Sequence, residues 1–529
     1  MAKKVFVIGI GGTGMRCLES FVHLCAMGMF DNHDVRMLAL DTDRLNGNFA
    51  RLQELLAFYN RINKDKVSSD TLFSARINYG TFTPDYDKNN VTFNSISDYS
   101  SASSLLIGEN VKYRESDLCD LFLDSKVRAM DLAHGYRAQT QLGSMLMYHA
   151  IIEEAYKTKR SDYNSELRSF IKELNESSGN QVFIFGSVFG GTGASSIPII
   201  PRAFQKAAEI MFGEQAQVLE KNFYGSVIMT NYFSFDIQKQ DAIVATSDKF
   251  ALNSQAALAF YASDKTVNRT YRRMYILGRE NMRNISNEKA KTDTGGASQE
   301  NPVDYMELIA AFAAYDFFKT CDGGESAFSS EKGKRSNFYY ITIQPDDANR
   351  LIADNFTSAD KFKFIEKSGI LLATCLLDGS NDFFLSMKNN EFTDITDDEL
   401  TALRNYFIKF YNITNDKNGW LPQMVKSSTE SGFAGLLFNN EVFSDTPLKK
   451  MKFNERLFID ENHSFALKGR ILGMGGSIFD TVKDTFKDIM PNDKGNISNL
   501  LKRLYLTFKK LYGFDTVSYT HLTLPTILR

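Results

Sequence analysis

The chain has 529 residues, of which 43% are hydrophobic and 24% are charged, a composition typical of a globular protein with roughly two to four domains. The 61 basic and 64 acidic residues give a net charge of −3 without a run of like charges, so no nucleic-acid-binding face is predicted. Five scattered cysteines without a Cys-x-x-Cys pair indicate free thiols, and no apolar run reaches the length that crosses a bilayer. We therefore expect a cytoplasmic protein with neither a nucleic-acid partner nor a membrane span.

The first predicted elements are a strand, a glycine-rich turn and a helix. Residues 4–8 form a short β-branched run, the sequence GIGGTG follows at 9–14, and apolar residues then recur with helical spacing over 13–27. Glycines allow a tight turn and a close backbone approach, and the N–H groups of a helix N-terminus bind phosphate. The candidate phosphate ligands of this first loop are Gly11, Gly12 and Thr13.

The second predicted strand, residues 35–40, is followed by two acidic residues, Asp41 and Asp43. An acidic residue at this place is also the expected ribose ligand of an NAD-binding Rossmann fold. The first loop therefore fits a dinucleotide-binding fold and other nucleotide-binding folds equally well. Asp41 and Asp43 are candidate nucleotide-binding residues in either case. The polar stretch 60–104 is predicted to be an insertion with short strands, and helices are predicted over 139–156 and 165–174.

A second glycine-rich loop favours a triphosphate-binding fold over a dinucleotide-binding fold. A compact apolar strand at 181–185 leads into the sequence FGGTGASSIP at 189–198, which again opens a helix. A dinucleotide fold has no use for a second phosphate loop, whereas a triphosphate can be held between two helix N-termini. Neither loop contains the Gly-Lys-[Ser/Thr] of a P-loop, so backbone N–H groups, hydroxyl groups and Mg²⁺ are expected to hold the phosphates. The candidate ligands are Gly190, Gly191, Thr192, Gly193, Ala194 and Ser195.

The later elements complete an alternating pattern. Strands are predicted over 223–229 and 273–277, helices over 195–211, 242–261 and 303–318, and a mobile polar loop over 279–300, with Pro302 in the first turn of the last helix. Strands that alternate with helices of this length predict an α/β fold, with a parallel sheet covered by helices on both faces. A smaller α+β region is predicted at 335–516, with a strand at 338–343 and helices near 362–377, 400–411 and 499–511.

The second loop resembles the tubulin signature G-G-G-T-G-[S/T]-G, and its continuation to Pro198 resembles the form found in FtsZ. The core at 190–193 is intact, whereas Phe189 and Ser195 replace the first and last glycines. The sequence DTD at 41–43 is similar to the Asn-Thr-Asp after the second strand of FtsZ, and residues 135–143 fall where the γ-phosphate-sensing loop precedes a helix. Residues 1–320 therefore resemble the GTPase domain of prokaryotic tubulin-like and FtsZ proteins.

Two more positions carry the resemblance. Residues 229–236, which include Phe235, resemble the FtsZ segment that borders the ribose, and Asn301 resembles the asparagine that reads the guanine edge before the central helix. An amide offers a base both a donor and an acceptor, but an asparagine here also suits a plain helix N-cap, and the two interpretations stay open. The resemblance implies GTP or GDP with Mg²⁺ as the cofactor, without a separate metal site.

The family resemblance also implies nucleotide-controlled assembly into a head-to-tail homopolymer in a bacterial cytoplasm. In tubulins and FtsZ an acidic loop of the neighbouring subunit completes the hydrolytic site. The matching stretch at 320–326 lacks the Asn-x-Asp of FtsZ, which leaves Asp322 and Glu325 as candidate catalytic acids and implies slow GTP hydrolysis. Two alternatives stay open: a non-polymerising nucleotide-binding scaffold or sensor in a larger complex, and an NAD-dependent enzyme.

The end of the chain carries the least information about function. The region 335–516 is a candidate surface for an unidentified protein partner. Residues 517–529 differ in style from the rest, and their sequence SYTHLTLPT resembles translated sequencing-adaptor read-through, so we expect a non-native tail.

Overall fold

The structure is a computed structural model. It describes residues 2–43, 45–84, 132, 136, 139–159, 164–234, 249–279, 282–285, 299, 301–329, 338–341, 390–411, 419–430, 484–489, 492 and 494–511. Phe235, the predicted helix near 362–377 and the expected non-native tail at 517–529 lie outside the described residues.

Seven parallel strands form one central sheet. They are β1 (Lys3–Ile10), β2 (His33–Leu40), β3 (Arg76–Phe82), β4 (Gln181–Ser187), β5 (Phe223–Met229), β7 (Tyr271–Leu277) and β9 (Phe338–Ile341), while β6 (Phe233–Ser234) and β8 (Arg283–Asn284) pair separately. The order across the sheet is β3-β2-β1-β4-β5-β7-β9, and every neighbouring pair is parallel. The predicted parallel α/β fold is confirmed.

Helices cover both faces of this sheet. They are α1 (Gly11–Ala26), α2 (Gly47–Asn63), α3 (Thr140–Tyr156), α4 (Ser165–Glu176), α5 (Gly191–Ser196), α6 (Ile200–Phe212), α7 (Phe250–Ser263), α8 (Lys265–Thr270), α9 (Tyr305–Cys321), α10 (Glu325–Ser329), α11 (Asp397–Tyr411), α12 (Trp420–Glu430) and α13 (Ile497–Leu511). Side chains alternate along a strand, so Val5 and Val7 of β1 join the core under α1, α2 and α9, whereas Phe6 and Ile8 join the core under α3, α4 and α6. This two-sided burial explains why the strand reads as a continuous apolar run.

The stretch predicted as an irregular insertion contains regular structure. Helix α2 continues to Asn63, and Arg76–Phe82 is a full strand that pairs with β2. Short strands were expected in this stretch, but as part of an insertion, and the structure places the strand in the central sheet instead. Strand β3 is the outermost strand on its side of the described sheet, and its polar residues alternate with few apolar ones. Such a strand lacks the apolar run by which a central strand is recognised.

The helix predicted over 195–211 is interrupted at residues 197–199, where the chain turns between α5 and α6. Pro198 has no N–H to donate to the carbonyl four residues earlier, and its ring clashes with that carbonyl in a continuous helix. The carbonyl oxygen of Ala194, which a helical residue at 198 would have bonded, instead accepts from the hydroxyl of Tyr261 at 2.8 Å. The interruption thus leaves this buried carbonyl satisfied.

The long apolar helix α9 begins at Tyr305, two residues later than predicted, with Asp304 as its N-cap. Asp304 and Glu307 form a capping box. The Asp304 carboxylate accepts from a backbone N–H in the first turn of the helix, and the Glu307 carboxylate accepts from the backbone N–H of Asp304. Pro302 therefore precedes the helix rather than lying in its first turn. Asn301 is therefore not the N-cap, and its side chain instead accepts a hydrogen bond from Asn48.

The described C-terminal elements pack onto the same body. Strand β9 pairs with β7, so the strand expected at 338–343 extends the central sheet. Tyr406 of α11 contacts Phe73 with ring centroids 4.9 Å apart, and Trp420 of α12 lies 4.5 Å from the ring of His23 on α1. The division into domains at 1–320 and 335–516 stays a prediction. Among the described helices, none is both long and apolar enough to cross a bilayer.

Candidate functional site

The two glycine-rich loops leave neighbouring strands at the same edge of the sheet. Strand β1 pairs with β4, and the chain continues from β1 towards β2 on one side and from β4 towards β5 on the other. This is the topological switch point of a doubly wound sheet, where a crevice opens beyond the carboxyl ends of the strands. The sheet order thus places both predicted phosphate loops at the usual ligand-binding position of such folds.

Side chains from both loops and from the β2 end meet there. A Cβ atom at Gly11 would lie 3.4 Å from the Cβ of Thr192, and the hydroxyl oxygens of Thr42 and Thr192 are 3.5 Å apart. Gly11 has a φ of +67°, a conformation that L side chains rarely adopt. The first loop therefore needs a glycine here to turn into α1 beside the second loop.

The second loop is held against its own strand by close packing. A Cβ atom at Gly193 would lie 2.4 Å from the carbonyl oxygen of Ser187, the last residue of β4. Ser195 is fully buried and donates from Oγ to the carbonyl of Thr192 at 3.0 Å, while Ser144 of α3 donates to the carbonyl of Ser195 at 2.8 Å. Ser195 thus positions the loop, and Ala194 lies buried beside it.

Each glycine loop leads into a helix whose N-terminus has no side-chain cap. The N-cap residues Ile10 of α1 and Gly190 of α5 make no capping hydrogen bond, and neither do those of α3, α6 and α7, whereas α2, α4, α8 and α9 are capped by Asn46, Asn164, Asp264 and Asp304. The first N–H groups of a helix have no partner inside the helix. The first turns of α1 and α5 therefore offer donors to an anion, on Gly11, Gly12 and Thr13 and on Gly191, Thr192 and Gly193.

Asp41 lies in the floor of the site rather than on its surface. It is 3% exposed, and its two carboxylate oxygens accept from the backbone N–H groups of Thr42 (2.7 Å) and Asp43 (3.3 Å) and from the side chain of Asn46 (3.3 Å). Burial, together with the nearby charge of Asp43, raises the pKa of Asp41 to about 7. Asp43 is equally buried and accepts from the backbone of Leu45 at 3.0 Å. Both acids shape the loop after β2.

A group of side-chain amides, which we name the amide corner, lies next to the first loop. It consists of Asn46, Asn48, Gln299 and Asn301. Asn48 donates from Nδ2 to Asn46 Oδ1 (3.1 Å) and to Asn301 Oδ1 (3.3 Å), and Asn46 donates to Gln299 Oε1 (2.9 Å). A Cβ atom at Gly12 would lie 3.3 Å from Asn48 Nδ2. The sequence interpretation missed Asn46 and Asn48, although an asparagine just before α2 is an N-cap signal.

A buried ion pair anchors the first loop to the central helix. Arg16 of α1 donates to Glu307 of α9 and to the hydroxyl of Tyr232 (2.7 Å), which itself donates to Glu307 (2.8 Å). Burial opposes the charge on Arg16, but Glu307 and Tyr232 together outweigh burial and raise the pKa of the guanidinium. Arg16 also lies 3.4 Å from the hydroxyl of Thr13. The pair thus ties the first turn of α1 to the start of α9.

The candidate catalytic acids lie at the opposite edge of the sheet. Asp322 follows α9 and pairs with Lys3 at 2.5 Å, while Glu325 pairs with Arg272 at 2.7 Å. Lys3 starts β1 and Arg272 lies at the start of β7, whereas the loops follow the strand ends. A strand of this length separates the two edges by roughly 25 Å. Asp322 and Glu325 therefore cannot reach a ligand held by the glycine loops of the same chain.

The remaining predicted positions are partly described. Phe235 and Gly135 lie outside the described residues, and Gly143 lies inside α3, where its Cα faces Ser195. Among the described residues, no group of three or more histidine, cysteine or acidic side chains could hold a metal ion. The hydroxyl groups of Thr42 and Thr192 are oxygen ligands of the kind that Mg²⁺ accepts together with phosphates and water.

Comparisons with known proteins give no family for this chain. No family model matches it, and no curated protein matches it. Among solved structures, a C-terminally truncated TubZ of Clostridium botulinum phage c-st aligns over 62% of this chain at 11% identity with a TM-score of 0.24. A structure described as a putative arginyl-tRNA synthetase from Campylobacter jejuni aligns over 85% at 12% identity with a TM-score of 0.18. The alignments cover 65% and 94% of those chains, the first just under two thirds, and scores this low carry no argument about fold or function.

Proposed function

We propose that the carboxyl edge of the sheet binds GTP with Mg²⁺ between the two glycine loops. The observation that supports this most is the meeting of Gly11 and Thr192, which come from distant parts of the sequence, at the topological switch point. Two uncapped helix N-termini converge there, and such termini stabilise phosphate through their N–H groups and dipoles. A triphosphate has enough negative oxygens to occupy both sets of donors.

The roles of the individual residues follow from their chemistry. Backbone N–H groups of the first turns of α1 and α5 donate to phosphate oxygens, and the hydroxyls of Thr13, Thr42 and Thr192 add donors or hold water. Mg²⁺, when bound, neutralises charge that develops on the phosphates. Asn301, which is 4% exposed beside the first loop, remains our candidate for contacting the base.

Titration calorimetry with GTP, ATP and NAD tests the proposal directly. We expect GTP to bind with Mg²⁺ and to be preferred to ATP and NAD. Gly191→Val should abolish phosphate binding, because a branched side chain enters the space that phosphate needs in the first turn of α5. Gly179→Val is a matched control: Gly179 has a φ of +76°, precedes β4 and lies away from the loops, so it should cost stability without changing affinity. Unchanged GTP affinity in a folded Gly191→Val protein would reject the site.

Assembly is the second part of the proposal, and its support is the separation of the two edges. The nucleotide loops and the acids Asp322 and Glu325 lie at opposite edges, so they can meet only between subunits stacked head to tail. Two exposed apolar side chains also lie near the glycine loops. Leu45 is 63% exposed after β2, and Leu252 is 65% exposed in α7, whose Asn253 contacts the second loop. A heterologous contact of this kind propagates as an open filament. Slow hydrolysis completed by the next subunit is the expected activity.

One observation favours the alternative of a non-polymerising scaffold or sensor. Asp322 and Glu325 are each held in an ion pair within the chain, with Lys3 and Arg272, so each acid has to leave its partner before it can orient water in a neighbour. Sedimentation with GTP and with a slowly hydrolysed analogue separates the two functions: pelleting supports the polymer, and its absence supports the scaffold. The structure does not favour an NAD-dependent enzyme. Asp41 was the candidate ribose ligand for NAD, but both of its carboxylate oxygens already accept hydrogen bonds from its own loop.

A further inference from the structure

The amide corner contains one buried acceptor that the chain leaves unused. Asn48 is 1% exposed, and no described residue donates to its Oδ1 atom. The orientation of this amide is set by its surroundings, since Nδ2 faces two acceptors, Asn46 Oδ1 and Asn301 Oδ1. Oδ1 is therefore the atom of this amide that has no hydrogen-bond partner among the described residues. A buried polar atom without a partner is costly, so such atoms commonly mark the place of a ligand or an ordered water.

The neighbours of Asn48 do not supply the missing donor. Asn46 uses Nδ2 for Asp41 and Gln299, and the hydrogens of Asn48 itself are used within the corner. Gly12 brings the first turn of α1 next to Nδ2, with a hypothetical Cβ at 3.3 Å. The donor must therefore come from outside the corner, and because Oδ1 has almost no accessible surface, the side chains around it must move apart to admit that donor.

The chemistry of the acceptor decides which end of a nucleotide can lie here. A carbonyl oxygen repels phosphate oxygens, which at neutral pH are acceptors as well, so the triphosphate cannot face Asn48. Ribose hydroxyls and the N–H groups of guanine are donors. The opposite side of the first loop, at Gly11, faces Thr192 and the uncapped start of α5. The two sides of the loop thus suit different ends of the same ligand.

We infer that Asn48 Oδ1 accepts a hydrogen bond from a nucleoside donor, so that the ligand lies with its phosphates between Gly11 and Thr192 and its nucleoside at the amide corner. This inference rests on the proposed nucleotide site and adds to it a specificity-determining residue and an orientation. The donor is either a ribose hydroxyl or a guanine N–H, and the two sources differ in which analogue loses affinity.

The experiment measures Kd by titration for GTP and four analogues that each lack one donor. The analogues are inosine triphosphate, N1-methylguanosine triphosphate, 2′-deoxyguanosine triphosphate and 3′-deoxyguanosine triphosphate. Wild-type protein should bind one analogue about tenfold more weakly than GTP, the cost of losing one hydrogen bond to a buried neutral group. Asn48→Leu should bind GTP about tenfold more weakly and should no longer discriminate against that same analogue.

Asn60→Leu is the matched control. Asn60 lies on the same helix and also has an Oδ1 atom without a described partner, but it lies at the far end of α2 from the glycine loops. Its replacement should leave every Kd unchanged. If Asn48→Leu does not fold, the wild-type series still decides, because equal binding of GTP and all four analogues overturns the inference.

The outcomes separate this inference from the proposed function. Wild-type protein that binds no GTP rejects both. GTP binding with unchanged affinity in Asn48→Leu, or with the same loss for all five nucleotides, rejects only the role of Asn48. A loss that vanishes when Mg²⁺ is omitted assigns Oδ1 to a metal-bound water and likewise overturns the nucleoside contact.

Discussion

The two edges of the central sheet differ in how their charged and polar groups are paired. At the carboxyl edge, α1 and α5 start without side-chain caps, and Asn48 keeps a buried acceptor without a described partner. At the amino edge, the charged side chains Lys3 and Arg272 are matched by Asp322 and Glu325, although Gln181 Oε1 at the start of β4 also lacks a described partner. A single unsatisfied atom therefore does not by itself mark a site. Our proposal of a binding site at the carboxyl edge depends on the convergence of the two glycine loops there.

The same comparison separates two kinds of ion pair. Arg16 and Glu307, beneath the first loop, are 2% and 0% exposed, whereas Lys3 and Asp322 are 27% and 48% exposed. A buried pair cannot be broken without leaving an unsolvated charge, while an exposed pair can be exchanged for water. The floor of the binding edge is therefore fixed, and the amino edge can change partners.

The largest expected effect comes from breaking the buried pair. Glu307→Ala leaves the Arg16 charge without its carboxylate, removes an acceptor from Tyr232 and destroys the capping box of α9, so we expect a loss of about 3–5 kcal/mol in the free energy of unfolding. Urea denaturation measures it. The double variant Arg16→Met with Glu307→Leu, which removes both charges, should be considerably more stable than Glu307→Ala. A loss below 1 kcal/mol for Glu307→Ala would contradict the contrast between the edges.

The sequence predicted the strands that precede the glycine loops better than the side of the sheet. Strands β1 and β4 are buried on both faces, so their apolar runs and following glycines could be recognised locally. Strand β3 lies at the side of the sheet and lacks that signal. The turn at Pro198 could have been inferred from the proline alone, because a proline inside a helical pattern ends or kinks it.

The details of the site depend on contacts that no local pattern contains. Asn46, Asn48 and Asn301 meet only because α2 and the start of α9 pack on α1, and the capping box at Asp304 moves Asn301 out of the helix. Asp41 looked like a ribose ligand from its position after β2, but its hydrogen bonds to its own loop became visible only in the structure. Long-range packing decides such roles.

The second prediction concerns pH and the contact between α1 and the C-terminal helices. His23 is buried against Trp420, with Nδ1 2.7 Å from the hydroxyl of Tyr406, and burial, with a smaller effect of Arg51, lowers its pKa well below the usual value. His23 therefore takes up a proton near pH 6.5 in the unfolded chain but stays neutral at that pH in the folded chain. Stability from neutral His23 is complete above pH 6.5 and falls below it, by at most about 1.4 kcal/mol per pH unit.

Melting temperatures of wild type and His23→Phe between pH 7.5 and 5 test this. The wild type should lose more stability on acidification than the variant. His33, whose pKa burial lowers to about 4, adds a loss of the same sign, and Asp41, with its pKa raised to about 7, opposes it, so only the difference between the two proteins reports on His23. If the two proteins lose melting temperature equally on acidification, protonation of His23 does not affect the contact between α1 and the C-terminal helices.

The smallest expected effect on stability comes from the exposed pair, and its effect on assembly is the informative one. Asp322→Ala removes the partner of Lys3 in a half-exposed position, so the free energy of unfolding should fall by less than about 1 kcal/mol.

If Asp322 leaves Lys3 to complete the nucleotide site of the next subunit, turnover per subunit should rise steeply with wild-type concentration. The variant should then hydrolyse GTP more slowly and form longer-lived polymers with unchanged GTP affinity, because the binding edge of its own chain is intact. Glu54→Ala breaks a comparably exposed pair, with Lys409, and serves as the control for a lost surface charge because Glu54 is not a candidate catalytic acid. Equal turnover in wild type and both variants, flat from dilute to concentrated protein, would assign the amino edge a structural role and leave the scaffold as the function.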